Sequence, residues 1–340
     1  MSERKEWLEQ RMKGIGGSDI SAILLSNPWR TPLDVWLEKM GRAEPWAVEP
    51  ERVKWGRLLE APIARGYAEA MELGPDELFE PGLLKHSQIP CILGTPDRMY
   101  TSQPRGVEIK AVNQFAKSEY GEEGTDAVPD HYHLQADHYL FLTDFTEWDL
   151  PILFGGQHLG IFTVKRNVLL DAIIAEASAK FWRDYVVADR VPPVDDTARY
   201  GEYLAGVFRN STSRQFLEPT DEFLAWLERI REAKRAVALA EQIKQEARNH
   251  IMQIIGEAKG IKTPDGKKAQ WIRPKPATAT DWEGLAKHLQ PTPELIATYT
   301  KSKERAAYLR TTFPDDEETE GRLEGSPGFD SRQPATHSPA

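Results

Sequence analysis

The sequence predicts an α/β fold: a three-layer domain with helices on both faces of a central mixed sheet, followed by a helical appendage. Three observations predict it. Helix-period apolar stripes alternate with short strand-type runs through residues 1–210. A stretch near 190–220 is rich in Pro, Ser and Thr, as boundaries are. Beyond it a single long amphipathic helix pattern takes over. The expected domains are therefore a core over 1–210, a helical appendage with a small hairpin over 211–313, and an acidic, disordered tail over 314–340.

Each element has a local reason. Ser18 follows the loop Lys13-Gly14-Ile15-Gly16-Gly17 and sits where a helix N-cap belongs, ahead of Ile20, Ile23 and Leu24. Thr31-Pro32-Leu33 opens a second helix carrying Leu33, Trp36, Leu37 and Met40, with Gly41 as its stop. A third helix is expected over 55–73, apolar at Leu58, Leu59, Ile63 and Tyr67 and ended by Gly74. Strand signals follow over 89–95, 97–101 and 106–111, joined by turn residues such as Ser102-Gln103-Pro104-Arg105-Gly106. Pro129 then precedes a helix reaching Leu142, 149–154 and 160–164 read as a hairpin around Gly155-Gly156, and 168–186 reads as a long helix. In the appendage, Phe223, Leu227, Ile230, Val237, Ile243, Ile251 and Ile254 lie on one stripe of a helix over 221–258, a face for packing or self-association. A hairpin turning at Asp265-Gly266 and a last helix over 284–308 complete it.

Composition narrows the class. Forty per cent hydrophobic residues and ten tryptophans suffice for a substantial core in 340 residues. No apolar run approaches the roughly 20 residues that span a bilayer, and Met1-Ser2-Glu3-Arg4-Lys5-Glu6 leads straight into charge. The expectation is a cytoplasmic protein with no secretory signal and no membrane partner. Cys91, the only cysteine, excludes an internal disulfide and a cysteine-ligated zinc or iron–sulfur site within one chain. The net charge is −10, but the tail after Phe313 holds seven acids against two arginines, half of that excess. The remainder does not exclude an anionic polymer as substrate, because such substrates are bound by local basic grooves and cations.

The chemistry is carried by Asp97 with Glu108-Ile109-Lys110. Side chains alternate along a strand, so Glu108 and Lys110 share one face while Val107 and Ile109 point into the core. Asp97, on the preceding strand across a short loop, is placed to meet Glu108. Two carboxylates and a backbone carbonyl form a hard oxygen site for magnesium, with manganese able to substitute. A neighbouring ammonium orients water and stabilises negative charge. Acid-x-Lys alone is weak: it recurs at Glu3-Arg4-Lys5, Glu232-Ala233-Lys234, Glu257-Ala258-Lys259 and Asp265-Gly266-Lys267, where solvated charge or a turn explains it. Even Thr263-Pro264-Asp265, which mimics Thr95-Pro96-Asp97, has no strand with a second acid close behind it. His131, His133 and His138 lack the paired-ligand spacing of a zinc site.

Several motifs in order bear a family resemblance. They are Gly14-Ile15-Gly16-Gly17-Ser18-Asp19-Ile20, Asn27-Pro28-Trp29-Arg30-Thr31-Pro32, Trp36-Leu37-Glu38-Lys39-Met40-Gly41, Gly56-Arg57-Leu58-Leu59-Glu60-Ala61-Pro62-Ile63-Ala64, Gly94-Thr95-Pro96-Asp97, Val107-Glu108-Ile109-Lys110 and Tyr132-His133-Leu134-Gln135. Over about residues 8–190 the chain resembles the YqaJ-like viral recombinases, phage exonucleases of the lambda exonuclease type within the PD-(D/E)xK superfamily. The resemblance implies a restriction-endonuclease-like core. It also implies metal-dependent degradation of duplex DNA from 5′ ends, a single-strand annealing partner, and a homo-oligomer that by family precedent is a ring trimer.

By the same resemblance, Asp97 and Glu108 are the metal ligands with the Ile109 carbonyl assisting, Glu60 is the helix-borne acid that reaches the metal cluster, and Lys110 is the catalytic lysine. Gln135 lines the site. Arg11, Ser18 and Thr95, with Tyr132, hold the terminal phosphate and DNA. Arg98 departs from the Thr-Pro-Asp-Gly of many members, leaving the turn after Asp97 open. The residues read alone leave plainer roles standing: Ser18 as a cap, Arg11 as a surface ion-pair partner, Glu60 as an exposed helix acid. An endonuclease or single-strand nuclease on the same core, or a non-catalytic DNA-binding or recruiting module, are the competing functions.

Overall fold

The computed structural model describes residues 9–43, 50–209, 215–272, 274 and 281–300. The chain divides into two compact units, Met1–Tyr203 and Leu204–Ala340. The expected tail over 314–340 and the end of the expected helix over 284–308 lie outside the described residues.

The first unit is built on a six-stranded mixed sheet. Its strands are β1 (Leu78–Phe79), β4 (Arg98–Tyr100), β5 (Arg105–Val107), β6 (Lys110–Val112), β7 (Glu147–Phe154) and β8 (His158–Lys165). β7 is the central strand. It takes β5 and then β6 in parallel along one side, and β8 antiparallel along the other. β4 runs antiparallel to β5 and β1 antiparallel to β4. A separate pair, β2 (Leu84–Lys85) with β3 (Leu93–Gly94), stands beside it.

Alternation along the strands feeds two cores, one per face. Trp148, Leu150 and Ile152 of β7 and Phe162 and Val164 of β8 are buried against Ala136, Tyr139, Leu140 and Leu142 of α4 (Asp130–Thr143). On the other face Tyr100, Val107 and Ile109, with Leu153, Leu159 and Ile161, pack on Ile63, Ala64 and Tyr67 of α3 (Glu51–Ala70). Each fully buried Leu or Ile contributes about 1.5–3 kcal/mol, so this two-sided burial fixes the sheet between its helices. The three-layer α/β arrangement is the one predicted. α4 is the crossover that carries the chain from β6 to the parallel β7.

The glycine-rich loop is tied to β3 by backbone: Ile15 N–H donates to Cys91 O at 2.7 Å and Leu93 N–H to Ile15 O at 2.9 Å. A Cβ on Gly14 would lie 2.6 Å from Cys91 O and one on Gly17 2.8 Å from the Tyr139 ring, so both glycines serve close approach. The loop delivers α1 (Gly17–Ile23) beside Thr95 and Asp97. α2 (Pro32–Lys39) is capped as expected, by Thr31 accepting from the Asp34 amide, and α5 (Val168–Phe181) follows β8.

Four expectations are corrected. The N-cap of α1 is Gly16, whose amide donates to Asp19 Oδ2 at 2.9 Å, and Ser18 lies inside the first turn. The strand expected over 106–111 is broken at Glu108-Ile109. The helix expected over 168–186 is α-helical only to Phe181 and continues as a π-helical stretch over Trp182–Val187. The single last helix is two short ones, Trp282–Leu289 and Pro293–Tyr299, because Pro291 and Pro293 cannot continue the first.

A short helix α6 (Ala198–Val207) spans the division between the units. The second unit holds α7 (Asp221–Ile255) and the hairpin β9 (Gly260–Lys262) with β10 (Lys268–Gln270), which turns at Asp265-Gly266 with Gly266 at φ +89°. The two short helices named above are α8 and α9.

Candidate active site

The break in the strand is the origin of the site. In the β4–β5 pair Arg98 faces Val107, so the next rung outward sets Asp97 opposite Glu108. Glu108 N–H still donates to the sheet, to Asp149 O at 2.9 Å. Ile109 N–H does not: it donates to Asp97 Oδ2 at 2.7 Å. A side-chain carboxylate has replaced a sheet acceptor, and β5 and β6 part where the chemistry sits.

Lys110 Nζ donates to Glu108 Oε1 at 2.7 Å, and Gln135 Nε2 from α4 donates to the same oxygen at 2.6 Å. Gln135 also reaches Tyr139 Oη at 3.3 Å. Glu108 Oε2 is buried with no hydrogen-bond partner. Lys110 Nζ lies 5.3 Å from the Tyr132 ring centroid, a cation–π contact that holds the ammonium in place.

Burial, then the neighbouring Glu108 carboxyl, push Asp97 well above the usual carboxylate range against the pull of Lys110. Burial raises Glu108 too, again opposed by Lys110. Burial alone would lower Lys110, but Glu108 and Asp97 outweigh it and hold its pKa up. Two buried carboxyls thus share one ammonium, an arrangement short of positive charge.

A cavity of about 230 Å³ opens onto this group, lined among others by Arg11, Gly16, Gly17, Ser18, Thr95, Asp97, Glu108, Lys110, Gln135 and Tyr139. Arg11 Nη2 donates to Ser18 Oγ at 2.6 Å, and Arg11 also lies 3.7 Å from Asp19 and 3.5 Å from Glu38. Beneath them Asp19 is fully buried between Lys39 at 2.7 Å and Arg30 at 2.9 Å. Burial opposes its ionisation, yet Lys39, Arg11 and Arg30 hold its carboxyl far below the ordinary range. This ion cluster fixes the wall that presents Arg11 and Ser18. Sequence reasoning missed it, although Glu38, Lys39 and Arg30 fall within the quoted motifs.

Two expected residues stand at the edge of this group. Tyr132 contacts Lys110 from outside the cavity lining. Glu60 pairs with Arg98, its Oε1 2.8 Å from Arg98 Nη1, while its charge still raises Asp97 and Glu108, and among the described residues no three His, Cys, Asp or Glu side chains converge as a metal-holding group. In the sequence Arg98 stands out only as a departure from glycine. The donor set that remains still suits a hard divalent cation, because Asp97 and Glu108 offer carboxylate oxygen and Glu108 Oε2 is buried without a partner.

The site thus sets two carboxylates and a lysine at a strand break in a mixed sheet packed between helices. Residues 6–146 match the model of the YqaJ-like viral recombinase domain. The chain is 29% identical to the uncharacterized protein YqaJ of Bacillus subtilis (strain 168) over 263 residues, 74% of this chain and 81% of that one. Among solved structures it is similar to the alkaline exonuclease LHK-Exo of Laribacter hongkongensis, with a TM-score of 0.46, 16% identity, and coverage of 54% of this chain and 93% of that one. It is also similar to a phage related exonuclease of Haemophilus somnus 129PT, with a TM-score of 0.37, 12% identity, and coverage of 54% of this chain and 99% of that one. Among the described residues no helix is long and apolar enough to cross a membrane.

Proposed function

We propose that this chain is a magnesium-dependent DNA exonuclease that hydrolyses linear duplex DNA from 5′ ends and leaves single strands for recombination. The observation that carries the reading is the meeting of Asp97, Glu108 and Lys110 at the break between β5 and β6, with one Glu108 oxygen buried and unpartnered. The match of residues 6–146 to the YqaJ-like viral recombinase domain supports the recombination context.

Asp97, Glu108 and the Ile109 carbonyl would hold the ion. When bound, Mg²⁺ or Mn²⁺ supplies Lewis acidity toward the scissile phosphate and a more acidic water. Gln135 and Lys110 fix Glu108 through one oxygen, and the other, buried without a partner, would be available to the ion. The Lys110 ammonium orients the attacking water and stabilises the charge that grows on phosphate oxygens. Arg11 and Ser18, which line the same cavity as Thr95, offer a guanidinium and a hydroxyl to a terminal phosphate. A single-strand annealing protein is the partner that this product calls for.

Digestion of end-labelled linear duplex and of nicked circles, with magnesium and with chelator, tests the proposal. Magnesium-dependent release from the 5′ end of linear duplex, faster on phosphorylated than on hydroxyl ends, supports it. Cutting of the circle away from the nick assigns an endonuclease instead.

A further inference from the structure

α7 is 35 residues long, about 52 Å of helix at 1.5 Å per residue. Helices of this length owe their stability to a packed apolar face. Yet among the described residues α7 buries only Ile255. Phe223, Trp226, Val237 and Ile254 are exposed at 55%, 60%, 64% and 71%.

The exposed face has a strict register. Positions 223, 226, 230, 233, 237, 240, 244, 247, 251 and 254 alternate in steps of three and four, the 3.5-residue period of a helix that pairs with another helix. They read Phe, Trp, Ile, Ala, Val, Ala, Lys, Ala, Ile, Ile. We infer that α7 is a self-association surface on which two copies of this chain pair as antiparallel helices.

The orientation follows from side-chain size and charge. In an antiparallel pair each residue of one row meets the other row of its partner, so Ile230 meets Ala247, Val237 meets Ala240 and Lys244 meets Ala233. Large faces small in each of these layers, the condition for close packing. Phe223 meets Ile254 and Trp226 meets Ile251 at the two ends. On one flank Ile243 covers Ala236. A parallel pair would instead stack Lys244 on Lys244 in the seam and leave Ala-on-Ala gaps at 233, 240 and 247. The inference is independent of the nuclease reading.

Oxidative cross-linking of the full chain tests it, on a Cys91→Ser background. A 1:1 mixture of Phe223→Cys and Ile254→Cys chains is expected to give a disulfide-linked dimer joining the two variants, while Phe223→Cys chains alone give at least tenfold less. Light scattering of the double variant Ile230→Asp, Val237→Asp is expected to give half the native mass, with circular dichroism of each sample read alongside. Self-cross-linking of Phe223→Cys would assign parallel helices, and absence of cross-links in both samples, or a mass unchanged by the aspartates, would remove α7 as the interface. Each of these three results overturns the inference.

Discussion

Arg98 Nη1 stands 2.8 Å from Glu60 Oε1, and Nη2 of the same guanidinium stands 3.0 Å from Glu80 Oε1, one residue along the chain from Asp97. The arginine side chain is only 11% exposed. It occupies Glu60, the acid expected from the sequence to join Asp97 and Glu108, and adds a fixed positive charge to a site otherwise rich in carboxylate.

Arg98→Gln therefore frees the Glu60 carboxylate and removes that charge. Affinity for Mn²⁺, followed by titration calorimetry, is expected to rise about tenfold, equivalent to ~1.4 kcal/mol. Arg98→Lys is expected to stay near the native value. Equal affinity in native and Arg98→Gln protein would mean that the pair exerts no hold on the ion.

Burial first, and then the charge of Glu108, holds Asp97 well above the usual carboxylate range, so the two carboxyls repel each other in the absence of a cation. Asp97→Asn keeps an oxygen for the Ile109 amide and removes the repulsion. In chelator its melting temperature is expected to rise, by about 1 kcal/mol of added stability, while nuclease activity is lost. A variant less stable than native in chelator would contradict the electrostatic account.

His138 donates from Nε2 to Leu93 O at 2.7 Å and its Nδ1 has no partner. Burial pushes its pKa down from 6.5 to about 4. Below pH 6.5 the unfolded chain takes up a proton that the folded chain refuses, so stability falls as pH drops from about 6.5 to about 4. The full loss is about 3 kcal/mol for a shift of this size. Urea midpoints at pH 7 and pH 4.5 are expected to differ less for His138→Gln than for native protein; an equal difference would assign the acid sensitivity elsewhere.

Gly106 faces the indole of Trp148, and a Cβ there would lie 2.3 Å from ring carbons. Trp148 is fully buried between strands and α4 and cannot swing away. Gly106→Ala is expected to cost about 2–3 kcal/mol by overpacking, read from denaturant midpoints. A loss under about 0.5 kcal/mol, the scale of an ordinary surface change, would show that the core yields more easily than its packing implies.

Much of the fold was legible because it is written in short-range patterns. Thr31-Pro32 marks the start of α2, the alternation Trp148, Leu150, Ile152 marks a strand with one face on α4, and Asp265-Gly266 marks the turn of β9–β10. The facing of Asp97 and Glu108 follows from the same alternation once their strands pair. The break at Glu108-Ile109 was not legible, because Gly106 to Val112 is a continuous strand signal and only the distant Asp97 carboxylate draws the Ile109 amide out of the ladder. The capture of Glu60 by Arg98, 38 residues away, depends on where α3 lies on the sheet, which no local pattern records. The burial of Asp19 against Lys39 belongs to the same class of long-range event.

In the proposed function, Asp97, Glu108 and Lys110 act together as one phosphodiesterase centre. Its most direct test is single-turnover release of nucleotides from 5′-labelled linear duplex in magnesium, comparing native protein with Lys110→Ala at matched folded fraction. The account predicts a rate at least about a hundredfold lower in the variant, the scale of a lost electrostatic group, with melting temperature showing a folded protein. Release at the native rate by folded Lys110→Ala would contradict it.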